Sequence, residues 1–467
     1  MALTAHTLEV LFYSSLALYV VAECVLTVLH THKAERGAKA LPEDFAAHTS
    51  QEEQIRAAHY TGERAQSELL LVFAGALFAW VMTYGQGITA LAALSTALFG
   101  PSQAAQWFTL AVLLLLFLLI EFPLGWSMRF RVKAAYRRKK TPPRRLVLRT
   151  LRETFTGYLA ALPILALSLT IFDLAGDLWW LLVWCVWLVY LFWRRQLGIV
   201  YGLFIHRRVR PVRNEALTAM VRDFLASQGI TMIDFVTTTR PRSWSHSHVV
   251  LSGWGRRRRV VVFSHAMGKL TPVELLALIA HDVGHIRHRH TMLRSVILAL
   301  FALIPAAFAG WGSTHPAFFD GFGVSRIVTF DTGAANAGWV IAVAAITFPI
   351  FFYLLKPLRN LLARALQYDA DLYAARTVGA GPMIRALVKL HRDYASSLAP
   401  SHLYSLFHYA RPHVTMRVER LRAFVQKSGR DPEHPVVLTG FDRRKYRAAS
   451  LGDDNRGETS PQSPTPH

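Results

Sequence analysis

The sequence predicts a polytopic α-helical membrane protein of about seven spans, carrying a small α+β region on its cytoplasmic face. Three observations lead there. The chain of 467 residues is 52% hydrophobic with a mean hydropathy of +0.27, yet its formal net charge is +22, so very apolar segments must alternate with very basic ones. Uncharged runs long enough to cross a bilayer recur along it. Lys and Arg then fall in alternate loops between those runs, the pattern of basic loops retained in the cytoplasm. A nucleic-acid binder of equal charge would gather its basic residues into one patch without such runs, so no nucleic-acid partner is expected.

The first apolar run, Leu8 to Leu29, follows a start without a basic n-region and reads as a retained helix, not a cleaved signal. Further spans are predicted at about Glu68 to Tyr84, Trp107 to Met128, Tyr158 to Phe172, Leu178 to Trp193, Met292 to Trp311 and Gly338 to Leu355. The loop after the first carries Lys33, Arg36, Lys39, Arg56 and Arg64, whereas Gly85 to Gln106 carries no basic residue. Arg131 to Arg145 is densely basic, and Asp173 to Asp177 has neither Lys nor Arg. Arg194 to His290 is basic again, Gly312 to Ala337 holds only Arg326, and the chain beyond Lys356 is basic. That alternation places the amino terminus outside, with the segment before His290 and the carboxyl terminus in the cytoplasm. The lipid bilayer is therefore an expected partner.

The expected division is 1–205 for membrane helices and basic loops, 206–290 for the α+β region, 291–356 for two more spans, 357–426 for further helices and 427–467 for a disordered tail. Within 206–290, Asn214 to Ser227 has helical spacing, and Thr231 to Val236 and Val249 to Leu251 read as strands. Ser252-Gly-Trp-Gly255 is a turn into Arg256 to Phe263, completing a hairpin whose arginines face headgroups. Thr271-Pro-Val-Glu274 opens a helix with an N-cap threonine, proline at its first position and an acid at its third. That helix carries His281 and His285, four residues apart, so both imidazoles share one face and can reach a single ion. This is the spacing of the His-Glu-x-x-His zinc motif, with Asp282 where the glutamate base stands. In a chain with 20 histidines the same spacing also arises by chance. A long helix follows from about Pro357 to Val378, stopped by Gly379, and another from Met383 to Ser397. A last helix ends near Gln426.

The order of parts resembles the type I CAAX prenyl endopeptidases and the related bacterial membrane zinc proteases. The motifs that carry the resemblance are His281-Asp-Val-Gly-His285-Ile-Arg-His-Arg-His290, Gln367-Tyr-Asp-Ala-Asp371-Leu-Tyr-Ala374 and Ser243-Trp-Ser-His-Ser247-His248-Val-Val. Leu403 to Pro412 with Arg417 and Glu419-Arg420-Leu421 looks like the family's terminal segment. The resemblance implies a zincin-like cytoplasmic region holding one zinc ion on His281, His285 and position 367, and a peptide or membrane-protein substrate, prenylated or otherwise membrane-associated. It implies that Asp371 orients a ligand histidine, and that the strand His248, Val249, Val250 and Leu251 holds the substrate by edge addition.

Four chemical positions depart from the family pattern: Asp282 replaces the glutamate, Gln367 the third ligand, His248 the strand asparagine and Arg411 the terminal histidine. Asp282 keeps the charge, but its carboxylate is withdrawn by about 1 Å, which can cost roughly 100-fold in rate. An amide at 367 is a poor zinc ligand; it either completes the zinc site as it stands or closes a hydrogen bond to His281 or His285 in a site that has lost its zinc. Asp369 lies about 200° around the helix from Gln367 and cannot simply replace it, which leaves His248 or His408 as substitutes. Arg411 would supply a cation to a developing oxyanion or pair with Asp282 or Asp371. An active peptidase and a non-catalytic relative that binds a peptide in the same groove both fit. The Ala- and Arg-rich composition points to a bacterial cytoplasmic membrane; nothing in the sequence sets the oligomeric state.

Overall fold

The computed structural model describes residues 4–39, 41–47, 49–127, 143–191, 210–238, 248–253, 255–324, 333–391, 397–429 and 431–434. The predicted strand motif Ser243 to Ser247, the basic run Arg131 to Lys140 and the chain from 435 onward lie outside the described residues.

Long helices cover the predicted spans: Ala5–Gly37, Gln51–Met82, Gln103–Ser127, Pro143–Ala175, His290–Thr314 and Ala337–Phe351. Among the described residues, six stretches are long and apolar enough to cross a membrane, and one of them, Leu169–Leu191, takes in the end of the fourth predicted span and the fifth. The turn Gly176–Leu178 lies inside that stretch, with Gly176 at φ +55°, and the chain reverses there. Gln103 donates to the Leu169 carbonyl (3.2 Å) and Tyr158 to that of Ala111 (3.2 Å), so Pro143–Ala175 runs antiparallel to Gln103–Ser127. After the turn, Trp179 and Trp184 donate to Ser313 Oγ (3.1 Å) and the Ala299 carbonyl (2.9 Å), leading the chain back along His290–Thr314. The segment read as a bare loop, Gly85 to Gln106, instead contains an apolar helix, Gly87–Phe99; at 13 residues it is too short to span.

Large apolar side chains point outward from these helices, among them Leu77, Phe155 and Leu300, as lipid-facing surfaces do. The segments predicted to share the non-basic side meet at one end of the bundle: Tyr84 donates to the Gly321 carbonyl (2.6 Å), Gln106 to that of Ala335 (2.7 Å) and Asn336 to that of Ser313 (2.9 Å). The chain is a multi-pass integral membrane protein.

At the other end of the bundle sits a four-stranded sheet in the order β1 (Arg210–Pro211), β2 (Thr231–Thr238), β4 (Arg257–Phe263), β3 (Val249–Ser252). The hairpin forms as expected, with Val249 opposite Val262 and Leu251 opposite Val260, while β2 joins β4 in parallel. Not all of the arginine run faces outward: Arg259 pairs with Asp234 at 2.7 Å and Arg258 donates to the Gly253 carbonyl. Beneath the sheet lies the histidine helix, Pro272–Arg287, with its capping box formed: Thr271 N–H reaches Glu274 Oε2 (2.9 Å) and Glu274 N–H reaches Thr271 Oγ1 (3.4 Å). Glu274, 1% exposed, also accepts from Arg385 (3.3 Å) and Lys389 (2.9 Å), fixing Ala380–His391 against the cap. Leu275, Leu276, Ile279 and Val283 fill one core with Val260, Val262, Ala374 and Leu421.

The histidine helix ends at Arg287, and two residues on Arg289 takes a left-handed φ of +52°, which costs a non-glycine residue about 1–2 kcal/mol and redirects the chain into the span His290–Thr314. The long helix Lys356–Thr377 packs along the histidine helix, and Val414–Ser428 closes the region. The last helix runs to Ser428 and is capped by Gly429, and Glu433 pairs with Arg385 at 2.5 Å, so the described residues from Lys427 to His434, the start of the stretch expected to be a tail, join the fold.

Candidate active site

His281 and His285 lie on one face of the histidine helix, their rings 4.8 Å apart and perpendicular at 89°. Across from them, one turn of Lys356–Thr377 presents Gln367 and Asp371. Gln367 Nε2 is 2.9 Å from His281 Nε2, and Asp371 Oδ1 is 2.8 Å from His281 Nδ1. The ring N–H is not well aligned on that oxygen, so the attraction is mainly electrostatic; the carboxylate favours the tautomer with its proton on Nδ1. The lone pair is left on Nε2, aimed at Gln367. Burial, reinforced by the neighbouring His281 and His290 rings, pushes His285 down to about 3, so its ring is a neutral donor.

Asp371 is 1% exposed and receives a two-pronged hydrogen bond from Arg417, Nε to Oδ2 at 2.7 Å and Nη2 to Oδ1 at 2.5 Å. Arg417, not Arg411, is thus the guanidinium seated on this carboxylate. Arg411 is exposed in the segment before Val414–Ser428, and Asp282 is half-buried beside His281. Neither candidate substitute ligand points at Gln367's partner: His248 Nδ1 is 2.8 Å from His265 Nε2, and His408 Nε2 is 3.0 Å from Glu23 Oε2. Among the described residues, β3 with Val249, Val250 and Leu251 has a hydrogen-bonded strand neighbour on one side only.

These residues fit a zinc ion as two imidazole donors with one neutral oxygen. The test is the His281 lone pair, which now accepts from the Gln367 amide; reversing that amide would turn Oε1 toward an ion in the same place. The fit is poorer than with a carboxylate, since no negative charge faces the metal directly.

Residues 30–195 match the family described as the CAAX prenyl protease N-terminal region with five membrane helices, and residues 211–425 match peptidase family M48. This chain belongs to the M48 family. Among its relatives, CAAX prenyl protease 1 of Saccharomyces cerevisiae is 23% identical over 322 residues, covering 65% of this chain and 69% of the yeast protein. A CAAX prenyl protease 1 homolog of Arabidopsis thaliana is 30% identical over 195 residues, 40% of this chain and 42% of the plant protein. A protease HtpX homolog of Helicobacter pylori is 33% identical over 150 residues, 31% of this chain and 44% of that protein. The match to the plant and Helicobacter relatives thus spans less than half of their length. The crystal structure of S. mikatae Ste24p superposes with a TM-score of 0.72 over 89% of this M48 chain and 99% of that one, at 18% identity, which shows a shared fold.

Sequence reasoning leaves three site residues without a role. Arg417 is visible there only as one arginine of a motif. Asp369 is turned off the Gln367 face, and that rotation carries it to His288 and His290, 3.1 Å from His290 Nε2. Gly284, between the two histidines, lets the helices approach: a Cβ there would lie 3.0 Å from Tyr373 Cβ. Gly284→Ala is therefore expected to lower stability by about 1–3 kcal/mol. By parting the helices that carry His281 and Gln367 it should also weaken metal retention. Thermal unfolding in detergent with a metal assay checks this; an alanine variant as stable as its parent would show that the helices separate freely.

Proposed function

We propose that this M48 chain is a membrane zinc metalloendopeptidase of the CAAX type, slow compared with relatives that keep the glutamates, and acting on a membrane-associated or prenylated peptide. The observation that carries this reading is the setting of His281, held between Asp371 and Gln367 with His285 one turn further on. His281 and His285 would hold the zinc with Gln367, and Asp371 would orient His281. Bound there, zinc supplies Lewis acidity that polarises the scissile carbonyl and acidifies a water. Asp282 takes the proton of the attacking water and delivers it to the leaving amine. Arg411 offers a cation to the developing oxyanion. His248 and β3, through Val249, Val250 and Leu251, hold the substrate extended along the strand. The alternation of basic loops supports placing this site and the carboxyl terminus in the cytoplasm, with the amino terminus outside a bacterial membrane.

One contact favours a second reading. The Gln367 amide donates to the very lone pair that zinc needs, an arrangement suited to a non-catalytic relative that binds a peptide without metal. Metal content separates the two. The purified chain is expected to hold one zinc at this site and to lose it on His285→Ala; absence of metal after purification without chelators would leave the second reading standing.

A further inference from the structure

Beyond the family site, the turn between the histidine helix and the next span gathers a second set of metal-binding side chains. His288 caps the histidine helix and His290 opens the span, with only the left-handed Arg289 between them. That turn brings both rings to one carboxylate. His290 Nε2 lies 3.1 Å from Asp369 Oδ2, and His288 Nδ1 is in direct contact with the same oxygen. The three donor atoms lie within 4.8 Å of one another, the one such triad of metal-binding side chains among the described residues. His290 is buried at 6% exposure, while His288 and Asp369 are 40% and 43% exposed at the side chain, so the set is anchored on one side and open to solvent on the other.

We propose that His288, His290 and Asp369 form a second site for a divalent transition-metal ion, zinc by preference, distinct from the site on His281 and His285. The donor chemistry supports this. Two imidazoles and a carboxylate suit zinc at about 2.0–2.2 Å per donor, and solvent supplies a fourth position. Small outward movements of the two rings separate the donors enough to admit an ion. By charge this set is the better of the two, because Asp369 provides the negative ligand that Gln367 does not. The carboxylate absent from 367 stands two positions further along and faces another pair of histidines. Arg287 and Arg289 flank the turn and oppose a cation, which keeps the affinity moderate. The sites touch: His290 Nδ1 lies 3.0 Å from His285 Nδ1, so an ion at the second site fixes a ring against which His285 packs.

The proposal does not depend on the peptidase reading, and titration of the full chain separates the two. Detergent-purified protein stripped of metal is titrated with cobalt(II), followed by its visible absorption, and then with zinc in competition. Two binding events are expected. Asp369→Asn and His288→Ala should each weaken one event by at least about 10- to 100-fold while the other persists. His281→Ala should remove the event that those changes leave. His288 is exposed, so its replacement tests the site even where Asp369→Asn disturbs the helix contact. Binding equal to the parent in both variants would overturn the proposal and show that the triad is only a clamp between helices. Metal retained by His281→Ala but lost in both triad variants would sustain it while removing zinc from the family position. No cobalt or zinc bound by the unsubstituted chain would overturn both.

Discussion

Asp371→Ala is expected to cost about 3–5 kcal/mol of stability and to release metal from the His281 site in the same step. The carboxylate is 1% exposed, and its two oxygens receive Nε and Nη2 of Arg417, whose own side chain is 16% exposed. Removing it strands a guanidinium where water can scarcely reach, a much larger penalty than the pair's net contribution. The loss also spreads. Arg417 belongs to Val414–Ser428 and Asp371 to Lys356–Thr377, so the closing helix is untied from the helix that faces the histidines. His281 loses the charge that keeps its proton on Nδ1, and a share of its rings then offer Nε2–H where a lone pair is needed. Asp371→Asn keeps the shape and should lose less stability. Arg417→Lys keeps the charge but gives up the two-pronged geometry, and should fall between them. Thermal unfolding in detergent and zinc content measure the two effects. An alanine variant within about 1 kcal/mol of its parent would mean that water reaches Arg417 and that the pair is peripheral.

Local rules account for what the sequence revealed. The cap Thr271-Pro-Val-Glu274 is written in consecutive residues, as are the turn of the β3–β4 hairpin and the alternation of basic loops; the cap and the hairpin appear at their expected places. His281 and His285 share a face because four residues make about one helical turn. Other parts depended on distance along the chain. Arg417 meets Asp371 across 46 residues and His288 meets Asp369 across 81, and no local pattern marks either partner. Glu274 reads as a simple cap, yet it also binds Arg385 and Lys389 on another helix. Gly87–Phe99 escapes because span length is the criterion, and a 13-residue apolar helix packed against the bundle end does not meet it. The departures at 282, 367, 248 and 411 become visible only against the family pattern, since none of these residues violates a helix or strand preference.

Restoring both acids, Asp282→Glu with Gln367→Glu, is expected to raise proteolysis of an unfolded membrane protein by roughly 100-fold or more. Each change acts on a different quantity. Asp282→Glu advances the carboxylate by about 1 Å and should increase turnover at saturating substrate, with little effect on metal content. Gln367→Glu replaces an amide 2.9 Å from His281 Nε2 by a charge, and should act on zinc affinity first. Because a base without metal and a metal without a placed base are both poor catalysts, the two gains should exceed the sum of the single changes. The substitution at 367 also brings a second carboxylate within one turn of the buried Asp371, and without metal the two acids repel. The Gln367→Glu chain should therefore be less stable than its parent when stripped and more stable when zinc is added, a reversal that thermal unfolding detects without any substrate. A double variant that binds zinc tightly, shows this reversal and still cleaves nothing would place the defect in the substrate groove: at β3, where His248 stands in place of asparagine, or at Arg411. In that case the fold keeps a peptidase's metal geometry and serves to bind a peptide, not to cut one.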